Sequence, residues 1–224
     1  MLLSLSIALA LSQPDAQALE RIVVTGARPL NTIESVKDPK APQQPLPAQD
    51  GADYLKSISG FNLIRKGGTS GDPVFRGAAG SRLTINSDDQ MVLGGCSGRM
   101  DPPTAYINPQ NYDAIRIIKG PQTVLYGPAA GTVLFERKSY QFDPNQSPGQ
   151  ISTVVGSFGR IDGNADYIAG NDQGFWRLNA SYSESDDYRD GTGTALNSAY
   201  QRWGIDTQFG WTPSQDTVVV AAWR

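Results

Sequence analysis

The chain has 224 residues, a formal net charge of −3 and no histidine. A strongly basic surface is therefore not expected, which argues against nucleic acid as a partner. Without histidine, neither a Ser/His/Asp nor a Cys/His catalytic site can form within the chain, and the commonest metal-binding side chain is missing. The single cysteine excludes an internal disulfide.

The N-terminal residues predict an export signal. Leu2 to Leu11 form an apolar run that is too short to cross a bilayer, and Ala16-Gln17-Ala18 has the small-x-small pattern of a cleavage site. We therefore expect residues 1–18 to be a signal peptide. A buried N-terminal helix is the alternative.

Residues 19–49 predict a short pairing segment and a linker. The run Glu20-Arg21-Ile22-Val23-Val24-Thr25-Gly26 is β-prone and could add a strand to the sheet edge of another protein, or form an ordinary edge strand. Five prolines fall between Arg28 and Gln49, which is typical of an extended linker with no core of its own.

Residues 50–145 predict a small α+β globule with one modest core. Asp50 can cap a helix over Gly51 to Ile58, and Gly120 to Gly127 predicts a turn and one short helix. A helical turn is expected at Pro109–Tyr112. The predicted short strands are Phe61–Arg65, Pro73–Arg76, Arg82–Asn86, Gln90–Leu93, Ala114–Lys119 and Thr132–Glu136.

The only cysteine lies four residues before a methionine, in the loop that runs from Met91 to Pro103. A thiolate and a thioether together favour Cu(I) over hard ions such as Mg²⁺. A turn at Cys96-x-x-x-Met100 would bring both sulfur atoms to one side. The alternative is structural, because a lone cysteine is often a small buried hydrophobe and methionine fills gaps.

Residues 146–224 change to a pattern of strands about ten residues long. Alternation is clear in Trp176, Leu178, Ala180 and Tyr182, whose neighbours are polar, and it recurs around Trp203 and Phe209. Strands of this length with one apolar face match the wall of an outer-membrane β-barrel, although a soluble antiparallel sheet alternates in the same way. The predicted strands are Ile151–Phe158, Ile161–Ala169, Phe175–Glu184, Tyr200–Trp211 and Thr217–Trp223.

Two pairs of adjacent acids, Asp88-Asp89 and Asp186-Asp187, do not indicate an enzyme. Side chains of adjacent residues diverge, so we interpret these pairs as turn formers rather than as a general acid and its base.

Together these features resemble the TonB-dependent outer-membrane receptors. The resemblance rests on Glu20–Gly26 as the TonB box, on Pro73-Val74-Phe75-Arg76-Gly77 and on the run from Ile117 to Gly127. It implies an α+β plug domain over residues 50–145, followed by antiparallel β strands of an incomplete barrel over 146–224, because family barrels have 22 strands. It also implies contact with outer-membrane lipid and with TonB through Glu20, Arg21, Ile22, Val23, Val24 and Thr25.

The loop from Gly94 to Ile107 is similar to that of the copper-receptor branch of this family. There a plug loop presents Cys-x-x-x-Met to copper, which implies Cys96 and Met100 as ligands of a transported copper ion, in the Cu(I) or the Cu(II) state. The family's further methionine ligands come from barrel segments, and no methionine follows Met100 here. Two other functions remain open: a receptor for a siderophore or another chelate, and a plug-like binding module that does not transport.

Overall fold

The fold is taken from a computed structural model that describes residues 33–66, 70–120, 124–126, 129–137, 149–214 and 217–223. We call residues 33–137 the plug region and residues 149–223 the strand wall. The predicted signal peptide and the predicted TonB box lie outside the described residues, as do four of the eight residues of the turn and helix expected at Gly120–Gly127.

The plug region contains two sheets and one short helix, α1 (Gly51–Leu55). One sheet has the order β1-β7-β8-β5-β6, with β5 parallel to β8 and the other pairs antiparallel, and the second has the order β2-β3-β4. Single turns of 3₁₀ helix lie at Gly80–Arg82, Pro103–Tyr106 and Pro109–Asn111. The strands are β1 (Glu34–Lys37), β2 (Phe61–Arg65), β3 (Gly71–Phe75), β4 (Ala78–Ala79), β5 (Leu83–Ser87), β6 (Gln90–Met91), β7 (Ala114–Lys119) and β8 (Gly131–Glu136).

The core of the plug region lies between α1 and the larger sheet. Alternate residues of β7, Ile115 and Ile117, are buried together with Val133 and Phe135 of β8 and Leu55 of α1. Strand geometry sends the residue between the two isoleucines to the opposite face. That residue, Arg116, pairs there with Glu34 and Glu136. The α+β prediction is confirmed.

Helix α1 begins as the sequence predicts and ends earlier. The Asp50 carboxylate accepts a hydrogen bond of 2.7 Å from the Asp53 amide, which is the expected N-cap. After Leu55 the chain tightens into turns, in which the Ile58 amide donates to the Leu55 carbonyl. Gly60, at φ +95°, then reverses the chain into β2.

Strand β1 lies where the sequence predicts only an extended linker. Glu34 to Lys37 pair in antiparallel register with Ile118 to Ile115, so this part of the segment adds an edge strand to the larger sheet. The sequence predicts an extended linker with no core of its own here, and over these four residues the extended chain is a strand of the larger sheet. Pro39, two residues later, is buried. The residues from there to Pro47 form turns, bends and irregular structure.

The strand wall is a five-stranded antiparallel meander. Its strands follow the chain in the order β9-β10-β11-β12-β13. All five predicted strands are present; β10, β11 and β12 extend beyond the predicted ends, whereas β9 begins two residues earlier and ends three residues earlier than predicted. They are β9 (Gly149–Val155), β10 (Ile161–Asn171), β11 (Gly174–Ser185), β12 (Tyr200–Ser214) and β13 (Thr217–Trp223).

The two faces of the wall have the reverse polarity of a soluble sheet. Arg177 and Asn179 are each 1% exposed on the face toward the plug region, whereas Trp203 and Phe209 are 70% and 57% exposed on the other face. A soluble sheet would bury the aromatic face and expose the polar one. The pattern agrees with a wall whose outer face meets lipid, which favours the barrel prediction over the soluble alternative.

No helix within the described ranges has the length and apolar character that a membrane span requires.

Candidate metal-binding loop and its contact with the wall

The loop that contains both sulfur residues runs from Val92 to Asp101 and is anchored at each end. At its start, the Val92 amide donates to the Ile85 carbonyl at 2.9 Å, which ties the loop to β5. At its end, Pro102 is buried and the Thr104 hydroxyl donates to the Gly71 carbonyl at 3.0 Å. The loop is therefore held at both ends by hydrogen bonds to strands of the plug region.

Cys96 and Met100 lie on either side of a tight turn. The Arg99 amide donates to the Cys96 carbonyl at 2.9 Å, and Arg99 has a positive φ of 57°, an uncommon conformation for a residue with a side chain. Cys96 is a free thiol that is partly buried, and Met100 is 65% exposed. The turn that the spacing requires is thus present, with both residues accessible.

Two glycines let the loop close on itself. A Cβ atom at Gly94 would overlap the Asp101 carbonyl oxygen, which is backbone and cannot move aside cheaply. A Cβ at Gly95 would lie 2.8 Å from the Tyr106 hydroxyl oxygen. A larger residue at Gly94 would therefore have to open the base of the loop, whereas one at Gly95 would displace the Tyr106 side chain.

Arg99 is the side chain that joins this loop to the sheet behind it. Its Nε and one terminal nitrogen each donate to a different carboxylate oxygen of Asp72, both at 2.7 Å. Asp72 lies on β3 and is buried. The hydrogen bonds with Asp72 raise the pKa of Arg99, so the guanidinium stays charged and paired.

Among the residues that the structure describes, no three His, Cys, Asp or Glu side chains come together closely enough to hold a metal ion. The soft pair Cys96 and Met100 provides two sulfur ligands, and a closed site needs further ligands. A cavity of about 890 Å³ lies between the plug region and the wall, lined in part by Met91, Leu93 and Asp101 from the two flanks of the loop.

Polar contacts that the sequence did not predict join the plug region to the wall. Arg177 of β11 is 1% exposed and donates to Asp113 at 2.7 Å and to Asp166 of β10 at 3.0 Å. Lys40, just after β1, pairs with the same two carboxylates. We call these four residues the charged seam; two cations and two anions balance in it.

Further polar contacts between the plug region and the wall surround the 3₁₀ turn Pro109–Asn111. The Asn111 amide group donates to Asp206 of β12 at 3.1 Å and accepts from Asn164 of β10 at 2.8 Å. Arg137, at the end of β8, pairs with Asp88 and with Asp206. The contacts between the plug region and the wall therefore consist largely of hydrogen bonds and ion pairs.

Asp50 is the most perturbed acid in the plug region. Only one of its carboxylate oxygens receives the Asp53 amide, while Oδ2 is buried without a hydrogen-bond partner among the described residues. Burial raises the pKa of the Asp50 carboxyl from 3.8 to about 6, although the Asp53 amide and the Arg202 charge oppose the shift.

The adjacent acids Asp88 and Asp89 form a turn as predicted, whereas Asp186 and Asp187 are not in a turn and begin the long connection between β11 and β12. Asp88 and Asp89 both have positive φ and form the two-residue connection between β5 and β6. Asp187 accepts hydrogen bonds of 2.8 Å from the Ser198 and Ala199 amides, which closes the long connection between β11 and β12.

Comparisons with known proteins agree with this architecture. A family model described as the TonB-dependent receptor plug domain matches residues 28–133. A solved structure of the copper transporter OprC is 49% identical, with a TM-score of 0.78, over 84% of this chain and 30% of that one. A search of curated proteins found no match.

Two more distant structures share the fold. The hemophore receptor HasR of Serratia marcescens, solved with its hemophore HasA and heme, is 18% identical over 81% of this chain and 29% of that one, with a TM-score of 0.63. The siderophore receptor PirA from Acinetobacter baumannii is 19% identical over 85% of this chain and 31% of that one, with a TM-score of 0.61.

The chain spans less than a third of the length of each of these three proteins. Receptors of this kind lie in the outer membrane, which is therefore the location of this chain. The family match, the plug fold and the inverted polarity of the wall lead to one conclusion: this chain carries the plug domain of the TonB-dependent receptor family, followed by five antiparallel strands of its wall.

Proposed function

We propose that this chain is part of an outer-membrane copper receptor energised through TonB, and that Cys96 and Met100 bind the copper ion as it enters. The observation that carries the proposal is the Cys96–Arg99 turn, which leaves both sulfur residues accessible on a loop anchored to the core. The 49% identity to the copper transporter OprC supports the same cargo.

The chemistry of the loop suits a soft, weakly hydrated cation. Thiolate and thioether sulfur favour Cu(I), and the neighbouring Arg99 charge is neutralised by Asp72, so it does not repel the ion. Because a proton or an oxidant competes for the Cys96 sulfur, affinity should fall at low pH and after thiol oxidation. The plug region binds and releases the ion without a covalent step.

We further propose that Glu20 to Thr25 pair as a strand with TonB in the periplasm, and that the outer face of the wall contacts lipid. In this proposal residues 1–18 are the signal peptide, 19–49 carry the box and linker, 50–145 the plug domain and 146–224 the wall. Strand β1 begins nine residues after Thr25, so a pull on the box would reach the larger plug sheet first at this edge.

The test is a Cu(I) titration of the 224-residue chain in detergent, without oxygen, against a colorimetric Cu(I) chelator. We compare the wild type with C96S, M100L and M91L; Met91 is a third methionine outside the turn and serves as the matched control. Since losing an outer-shell partner already costs about 10- to 100-fold in metal affinity, C96S should cost at least that much and M100L about tenfold.

M91L should bind like the wild type. Unchanged Cu(I) affinity in C96S would overturn the copper proposal. Tight binding of a ferric siderophore that C96S leaves unaltered would instead support the chelate receptor, the second function whose fold the chain shares with PirA.

A further inference from the structure

We propose that the ion pair between Arg99 and Asp72 is the positioning element of the copper loop, and that it acts by fixing where Met100 lies relative to Cys96. This inference rests on the copper proposal above. It concerns residues that bind no metal themselves.

The pair connects the turn between Cys96 and Met100 to a buried strand of the plug region. Asp72 is buried in β3, whose position is set by antiparallel pairing with β2 on one side and β4 on the other. The two parallel hydrogen bonds, each 2.7 Å, define both the distance and the orientation of the guanidinium plane. The stem of Arg99 passes Gly80, where a Cβ would be in contact with its Cδ at 3.5 Å.

Backbone geometry transmits this constraint to both sulfur residues. The amide of Arg99 donates a hydrogen bond to the Cys96 carbonyl, and the Cα atoms of Arg99 and Met100 are about 3.8 Å apart across one trans peptide. Its left-handed φ of 57° is a conformation that a residue with a side chain rarely keeps unless the surroundings hold it. The two hydrogen bonds to Asp72 keep Arg99 in this conformation, so the position of Met100 depends on them.

Lysine at position 99 separates charge from geometry. Its ammonium group retains the positive charge and can still pair with Asp72, but it is a point charge on a flexible stem and cannot form the two-pronged contact. R99K should therefore leave the plug folded and the loop neutral, while allowing Met100 to move away from Cys96.

The experiment is a double-mutant cycle on Cu(I) affinity with the chain in detergent, using wild type, R99K, M100L and R99K/M100L. R99K should weaken binding about tenfold, as expected for an outer-shell residue. In the R99K background, adding M100L should cost almost nothing, because the thioether has already been lost as a ligand. Arg160→Lys, which alters another arginine–aspartate pair far along the chain, should leave affinity unchanged.

A spectroscopic readout separates positioning from general stability. X-ray absorption of the Cu(I)-loaded chain should detect one fewer sulfur neighbour in R99K than in the wild type, while the thermal midpoint of the metal-free protein changes little. An equal cost of M100L in both backgrounds, or an unchanged sulfur count in R99K, would overturn the inference. Unchanged affinity in C96S would overturn the copper site itself and this inference with it.

Discussion

Replacing Arg177 by methionine is expected to lower the free energy of unfolding by about 3–5 kcal/mol, the usual cost of removing one partner from a buried ion pair. Arg177 is 1% exposed and holds Asp113 of the plug against Asp166 of the wall. After the substitution, one of the two cations of the charged seam would be lost while both carboxylates remain in a site with little water. The destabilisation comes from that uncompensated negative charge rather than from lost packing, because methionine fills a similar space.

Unfolding by denaturant in detergent, followed by tryptophan fluorescence, measures this effect, since all four tryptophans lie in the strand wall. The matched control is Lys56→Met, which removes an exposed pair with Asp53 within the plug. Exposed pairs contribute about 0–1 kcal/mol, so this control should unfold close to the wild type. A cost for R177M no larger than that of K56M would show that the seam does not hold the two parts together.

Asp50→Asn should stabilise the chain at pH 7, by up to about 3 kcal/mol, because it removes a buried charge. The pKa of Asp50 is raised from 3.8 to about 6, and a tenfold change in proton affinity is equivalent to about 1.4 kcal/mol. Asparagine caps a helix as well as aspartate does, so the bond from the Asp53 amide is retained. A new amide N–H at the unpartnered Oδ2 position would reduce the gain.

The gain should also depend on pH in a defined direction. Between about pH 4 and 6 the folded chain binds more protons at Asp50 than the unfolded chain does, so its contribution to stability falls as the pH rises through that window. D50N should therefore equal the wild type near pH 4 and exceed it above pH 6. Denaturant unfolding followed by circular dichroism at both pH values measures this, and an equal difference at the two would contradict it.

The sequence predicted the strands of the wall better than any other part of the chain. Alternation such as that over the seven residues from Trp176 to Tyr182 is a strong local signal, and the structure places the two sets on opposite faces. The core strand Ala114–Lys119 was also predicted with the bounds observed, because four of its six residues are apolar and three of these are isoleucines.

The failures concern pairings between distant residues. Strand β1 contains one apolar residue, Val36, beside a stretch of prolines, and it is a strand because β7 offers it an edge. Arg177 and Asp113 are 64 residues apart, and Arg99 and Asp72 are 27 apart. A charged residue at an alternating position shows which face it occupies but not its partner, so these contacts required the folded structure.

The polar character of the contact between plug and wall has a consequence for how the two could separate. An apolar contact resists separation because exposing its apolar surface to water has an unfavourable free energy. The polar groups of this contact, such as Asn111 with Asp206 and Arg177 with Asp113, can form hydrogen bonds with water when they separate. The free-energy cost of hydrating this contact is therefore far lower than that of exposing a hydrophobic core of the same area. Water that enters it would replace the hydrogen bonds between plug and wall and let the two move past each other.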